Sequence, residues 1–151
     1  YRRIKEDLPQ GDHLVPIGKA RIAREGRDLS IVTYAATVWK ALEAADALEK
    51  EDGLSVEVLD LRTLLPMDTE AIVQSVKKTH RVLVLHEDTR TGGIAGEITA
   101  RISESAYAWV DAPVLRVTPA DVPPPYAPPL EDYVLPQTAD VVEAARRLAA
   151  W

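Results

Sequence analysis

Cysteine is absent from the 151 residues, which excludes disulfides, thiolate metal ligation and cysteine nucleophiles within this chain. No apolar run approaches the roughly 20 residues that a membrane helix needs, so no membrane association is expected. Positive charge is also in deficit: 18 Lys and Arg face 24 Asp and Glu, a formal net charge of −6. Non-specific nucleic-acid binding depends on basic side chains neutralising phosphates, so no nucleic-acid partner is expected, whereas a basic protein partner suits such a surface. The opening YRRIKEDLPQGD has no apolar targeting core, and the chain begins on Tyr1 rather than Met. These features predict a cytoplasmic piece of a longer polypeptide, without a signal peptide. No internal repeat is visible.

What is present is a globular mixture, 46% hydrophobic and 28% charged, of a length that suits one domain. Residues 1–16 are polar, contain Pro9, Gly11 and Pro16, and read as a connecting arm; residues 17–151 read as the domain. The most informative stretch is Val82 to Ile98, VLVLHEDTRTGGIAGEI. Its unbroken apolar run predicts a strand buried on both faces, as in a parallel sheet covered by helices. Further strands are predicted at Leu29–Tyr34, Ser55–Leu61 and Val114–Val117. Ala20–Ala23 is a weak one, either pairing with Leu29–Tyr34 as a hairpin or lying apart from it. Helical spacing marks Val38 to Leu48, capped by Thr37 and ended by Gly53, and a helix after Asp68 that faces inward with Ile72, Val73 and Val76. Ile94, Ile98 and Ile102 form a stripe on a third helix, and Thr138 caps a last one with apolar positions Val141, Val142, Ala145, Leu148 and Ala149. The proline-dense TPADVPPPYAPPLEDYVLP is expected to be an extended surface loop. Alternation of this kind gives an α/β fold with an open, mostly parallel sheet.

Candidate chemistry gathers at strand ends, where such sheets dock ligands or partners. Thr91-Gly92-Gly93-Ile94-Ala95-Gly96 lies between strand and helix, where backbone N–H groups cradle anions. It is GGxxG rather than GxGxxG and lacks the Lys-Ser/Thr of a P-loop. Its glycines serve equally to tighten a turn and bring the helix close to the sheet. His86-Glu87 ends a buried strand, a place for acid–base chemistry, but Arg90 stands where HExxH needs its second His. His13 and His80 show no ligand spacing. A loop-orienting or interface role for His86 and Glu87 is therefore expected. Ser30, Ser55, Ser75, Ser103 and Ser105 lie in strand or helix patterns without a nucleophile-elbow motif. Asp60 and Arg62 are expected to form an ion pair that fixes the loop towards Pro66. Pro123-Pro124-Pro125-Tyr126 reads as a polyproline ligand or as a stiff connector packed along its own domain.

Taken in order, VPIGKARIAREG, DLSIVTYA, VEVLDLRTLLPMD, the HED–TGG–G segment and DAPVLRVTPADVPPPYAPPLEDYVLP resemble one family. It is the C-terminal domain, of transketolase C-terminal type, of thiamine-diphosphate-dependent 2-oxo acid dehydrogenase beta subunits. HED-x-x-TGG and the opening YRRIKEDLPQGD are most like the branched-chain (2-oxoisovalerate) enzyme, while the proline region is equally like pyruvate dehydrogenase; acetoin dehydrogenase is a further alternative. The resemblance implies a three-layer α/β/α domain with a five-stranded, mostly parallel sheet and one antiparallel strand, Ala20–Ala23. It also implies a parent enzyme that decarboxylates branched 2-oxo acids oxidatively and passes the acyl group to lipoamide, using thiamine diphosphate and magnesium held by other domains. This chain would then be a non-catalytic assembly domain with no catalytic, cofactor-binding or metal residues. Its implied partners are an alpha subunit and a second beta subunit in a heterotetramer, and the basic subunit-binding domain of the dihydrolipoyl acyltransferase core. The positions matching the family's docking carboxylates are Asp111 and the terminal carboxylate of Trp151. His86, Glu87, Gly92 and Gly93 would form a loop at a domain interface. The alternative from a different class is a stand-alone anion or small-molecule binder using the GGxxG turn.

Overall fold

A computed structural model describes residue 7, residues 10–12 and residues 14–151. Most of the expected connecting arm, including Pro9, and His13 lie outside the described residues. Five strands form one sheet in the order β1-β3-β2-β4-β5, with β1 at Arg21–Arg24, β2 at Leu29–Thr33, β3 at Val56–Asp60, β4 at Val82–Leu85 and β5 at Leu115–Val117. Strands β2 to β5 pair in parallel, and β1 runs antiparallel to β3. The expected three-layer α/β/α architecture, with a mostly parallel sheet and one antiparallel strand, is thus the observed one.

Side-chain alternation along the strands builds two cores. Leu29, Ile31, Val56, Val58, Leu83 and Leu85 pack beneath α1 (Thr37–Asp52) and a C-terminal helix, Thr138–Ala149. Val32, Leu59, Val82 and Val84 face the other way, towards α2 (Thr69–Thr79) and α3 (Ala95–Ala106). Every residue of β2, β3 and β4 is buried, which is why these strands read in sequence as runs rather than as alternations.

Strand β1 does not form a hairpin with β2; the two lie on opposite sides of β3. The chain crosses the start of β3 between them, and Gly26 makes the crossing possible. A Cβ at that position would sit 2.0 Å from the Glu57 nitrogen, so only glycine lets the backbones approach. Asp28 secures the crossing by accepting from the Ser55 N–H at 2.7 Å.

Two expected caps are displaced by one residue. Thr37 is the first residue of α1 rather than its cap, and its hydroxyl donates to the Tyr34 carbonyl at 2.8 Å. The C-terminal helix is capped by Gln137, in a reciprocal capping box with Asp140, while the Thr138 hydroxyl donates to Glu43. Asp68 and Gly53 act as read: Asp68 accepts from the Ala71 N–H, and Gly53 adopts a left-handed C-cap. The proline segment is not wholly extended. Residues Pro128–Val134 form a short helix, α4, making the C-terminal helix α5. Its prolines occupy the first two helical positions, where the missing N–H groups have no intrahelical acceptor and cost nothing.

One buried charge demands an account. Glu57, the second residue of β3, is fully buried. Its Oε1 accepts from the Ser75 hydroxyl at 2.6 Å, the Ser30 hydroxyl lies 2.7 Å from those of both Ser75 and Thr79, and Lys78 supplies the countercharge to Oε2. Lys78 also reaches Glu25 at 2.8 Å. The network locks β2 and β3 to α2. Lys78→Met should leave Glu57 buried and unpaired, destabilising the fold by about 2 kcal/mol, less than for a fully enclosed pair because Lys78 is partly exposed. Urea unfolding of the variant checks this, and the paired Glu57→Gln/Lys78→Met change should recover part of the loss.

Candidate functional site

The C-terminal edge of the sheet is where an α/β fold of this kind places its chemistry, and the strand order reverses between β2 and β4. Tyr34 and His86 occupy that crevice, with ring centroids 6.2 Å apart. His86 follows β4 directly and is fully buried. Its Nδ1 lies 3.0 Å from the Asp88 N–H, and its Nε2 lies 3.0 Å from the Ala95 N–H at the start of α3. A neutral imidazole accepts at one nitrogen at a time and an imidazolium at neither, so this setting selects the uncharged ring. Burial pushes the His86 pKa below the ordinary histidine value, against the opposing pull of the Asp88 carboxylate. Burial, then the charges of Asp88 and Glu87, push the Tyr34 phenol up.

The two glycines of the loop act differently from the third. Gly92 adopts φ +78°, and a Cβ on Gly93 would lie 2.1 Å from the Thr89 carbonyl oxygen and 2.9 Å from the His86 ring. Both therefore shape a tight turn around the imidazole. Gly96 faces open space, so it does not serve the close helix–sheet approach expected of it. The turn is poorly suited to an anion, because the Ala95 N–H is directed at His86 and the Gly96 N–H donates to the Gly93 carbonyl. Among the described residues no group of three or more His, Cys, Asp or Glu is placed to hold a metal ion. The residues at this edge thus do not fit a diphosphate with its divalent cation.

A tether invisible in the sequence completes the loop. Asp121, from the proline segment, accepts from the Thr91 N–H at 2.8 Å and from the Thr91 hydroxyl at 2.6 Å. These bonds hold the Asp121 carboxyl below its ordinary pKa. Arg90 and Arg116 each donate to the other's carbonyl, tying the loop to β5. Thirty positions separate Thr91 from Asp121, and although Thr91 opens the TGG turn, nothing in the local pattern couples it to a residue so distant. Glu57 did leave one: a lone carboxylate inside a strand buried on both faces must have a partner.

The expected Asp60–Arg62 ion pair does not form. Asp60 instead accepts from the backbone N–H of Arg62 at 3.1 Å and pairs with Arg21 at 3.5 Å. Arg62 adopts φ +58°, and Ala35, at the end of the neighbouring strand, φ +55°. At this turn the Asp60 carboxylate takes the backbone N–H of Arg62 rather than its guanidinium.

Asp111 lies at the opposite edge, where its N–H donates to the His80 carbonyl near the start of β4. Trp151 follows α5, whose Arg146 binds Glu51 and Asp52 at the far end of α1, again at the N-terminal edge. Asp111 and Trp151 are both exposed. The structure therefore brings His86, Glu87, Gly92 and Gly93 together at one edge and places Asp111 and Trp151 towards the other.

The neutral His86 has a pH consequence with a definite sign. Because its folded pKa is lowered, the unfolded chain binds more protons below about pH 6.5, so stability is complete above that value and falls as pH drops through it. The slope from this one group should approach, at most, about 1.4 kcal/mol per pH unit. Urea unfolding between neutral and mildly acidic pH should show this loss in the native chain and a flatter profile in His86→Gln.

Comparison with known proteins places this geometry in a lineage. Residues 18–141 match the family described as transketolase, C-terminal domain. The chain is similar to the 2-oxoisovalerate dehydrogenase subunit beta of Bacillus subtilis, at 47% identity over 148 residues, covering 97% of this chain and 45% of that protein. It is 44% identical over 148 residues to the pyruvate dehydrogenase E1 component subunit beta of the same organism, covering 98% and 45%. The chain thus spans about half the length of these relatives. Among solved structures, a split-gene transketolase described as an inactive beta4 tetramer superposes with a TM-score of 0.80 at 28% identity, over 96% of this chain and 46% of that one.

Proposed function

This chain belongs to the transketolase C-terminal domain family, and on that premise we propose that it is the C-terminal assembly domain of the beta subunit of a 2-oxo acid dehydrogenase. The observation that carries the reading is collinear similarity to two such beta subunits across nearly the whole chain. In this proposal the parent enzyme decarboxylates a branched-chain 2-oxo acid with thiamine diphosphate and magnesium, and transfers the acyl group to lipoamide. The cofactor supplies the decarboxylation chemistry elsewhere in that enzyme, and this domain contributes scaffold and contacts. Its proposed partners are an alpha subunit, a second beta subunit and the acyltransferase core, and its proposed location is the cytoplasm.

Branched-chain specificity is supported by HED-x-x-TGG and by the 47% identity to the 2-oxoisovalerate enzyme. The 44% identity to the pyruvate enzyme stands close enough to support a second reading. The test is assembly of the full beta chain with its alpha subunit, followed by comparison of kcat/KM for 3-methyl-2-oxobutanoate and pyruvate. A clear preference for the branched acid is expected; preference for pyruvate overturns the specificity but keeps the family.

Docking of the acyltransferase is assigned to the edge that carries Asp111 and Trp151. Exposed carboxylates form charge-assisted hydrogen bonds with Arg and Lys, each stronger than a neutral bond. Asp111 makes no side-chain ion pair among the described residues, so it is available. In the assembled enzyme, Asp111→Asn should weaken binding of the subunit-binding domain by about tenfold, the loss of one such bond, without altering the fold. An unchanged dissociation constant at physiological salt would rule out the assignment.

A further inference from the structure

Between the β4–α3 loop and the proline segment lies a cleft of about 120 Å³. Its floor is apolar, from Pro119, Val122, Val134 and Leu135, and Glu87, Asp88 and Glu131 also line it. We propose that this cleft is an anchor site for a lysine or arginine side chain projecting from a partner protein. It lies at the C-terminal ends of β4 and β5, the opposite edge from Asp111, and so is separate from the acyltransferase contact argued above.

Size and chemistry select this occupant. The volume is that of one long side chain, too small for a helix or a nucleotide. A basic side chain has an aliphatic stem that needs apolar cover and a charged head that needs anions, and the lining supplies both. Glu87 and Glu131 are exposed and form no ion pair among the described residues, so their charges are uncommitted. The upward push that Asp88 and Glu87 exert on the Tyr34 phenol reports the same negative field.

The surroundings point to a protein rather than a free amine. In the segment that forms one wall, Tyr126 is fully exposed, Tyr133 is 88% exposed, and Val122 and Leu130 are also exposed. Protein interfaces place an anchor in a pocket and ring it with aromatic and apolar contact area of this kind. The cleft is also prebuilt. The Thr91–Asp121 bonds hold its two walls together, which lowers the ordering cost of binding.

The test is an NMR titration of this chain with a capped five-residue peptide bearing one central arginine. Parallel peptides carry lysine, citrulline or norleucine at that position. The arginine and lysine peptides should bind in the low-millimolar range, as a single anchor gives, with shifts confined to Glu87–Thr89, Val122 and Val134–Leu135. Glu87→Gln and Glu131→Gln, both at exposed positions, should each weaken binding about threefold, the worth of one exposed ion pair. Thr91→Val, outside the cleft, should weaken it by loosening the walls. Equal binding of the citrulline or norleucine peptide, shifts elsewhere, or no saturable binding would overturn the proposal. Butylamine binding as tightly as the peptides would make the site one for small amines and overturn the protein assignment. Self-association of the chain that is lost in the Glu87→Gln/Glu131→Gln variant would assign the cleft to a second copy instead. None of these outcomes depends on substrate preference or on Asp111.

Discussion

Burial of the three central strands on both faces is the condition from which the rest of the architecture follows. Inside such a sheet water cannot satisfy a polar side chain, so each one must find its partner in a neighbouring element or loop. Glu57 and Ser30 find theirs on α2, through Ser75, Thr79 and Lys78. Thr33 pairs with Thr37 at 2.8 Å and thereby joins β2 to α1. Asp60 holds the Arg62 backbone and the Arg21 side chain, and His86 faces the backbone of the loop that follows it. The polar residues of the strands are therefore the points where the sheet is fastened to its surroundings. An apolar residue at any of them would keep the hydrophobic contact and lose the attachment.

The same logic separates the two edges of the sheet. At the C-terminal edge His86 faces amide groups that would otherwise be available to a phosphate, and Tyr34 fills the crevice beside it. Gly93 is needed because the imidazole and the Thr89 carbonyl leave no room for a side chain. A turn that looks in sequence like an anion cradle is thus closed around a buried ring. What stays open there is the outer rim, with Glu87, Glu131 and the aromatic side chains of the proline segment. The inner polar groups are thus committed to the fold, and the outer ones face solvent.

Much of this was legible from residue order because buried parallel strands and amphipathic helices carry strong local patterns. The apolar run marks a strand over Arg81–Leu85, and the observed β4, Val82–Leu85, begins one residue later. Features set by distant contacts were not legible. The place of β1 depends on whether the backbone can cross β3 at Gly26, a matter of tertiary clearance rather than of local propensity. Helix α4 was missed because proline density argues against helix interiors but not against a first turn. Thr37 and Thr138 suit caps by residue type, yet each hydroxyl has a local or tertiary acceptor that draws it one position inside. Asp60 and Arg62 stand two apart, a spacing that suggests a pair, but the Asp60 carboxylate takes the Arg62 backbone N–H and the Arg21 guanidinium instead. Glu87 and Gly93 were seen as one loop, while the Asp121 that clamps it lay thirty residues away.

That division between local and distant information bears on function as well. Sequence similarity to two beta subunits reaches across nearly the whole chain, so it reports on the scaffold more than on the acyl group, in which the two named enzymes differ. The features that distinguish one partner or substrate from another are expected on exposed rims, where burial imposes little and side chains are free to differ. On this chain those rims are the Asp111 edge and the cleft beside Glu87. One presents the Asp111 carboxylate openly to solvent; the other sets carboxylates around an apolar slot. A basic partner would meet the first as a charged surface and the second as a socket. The second discriminates more strongly, because a side chain must have the right length as well as the right charge to enter it.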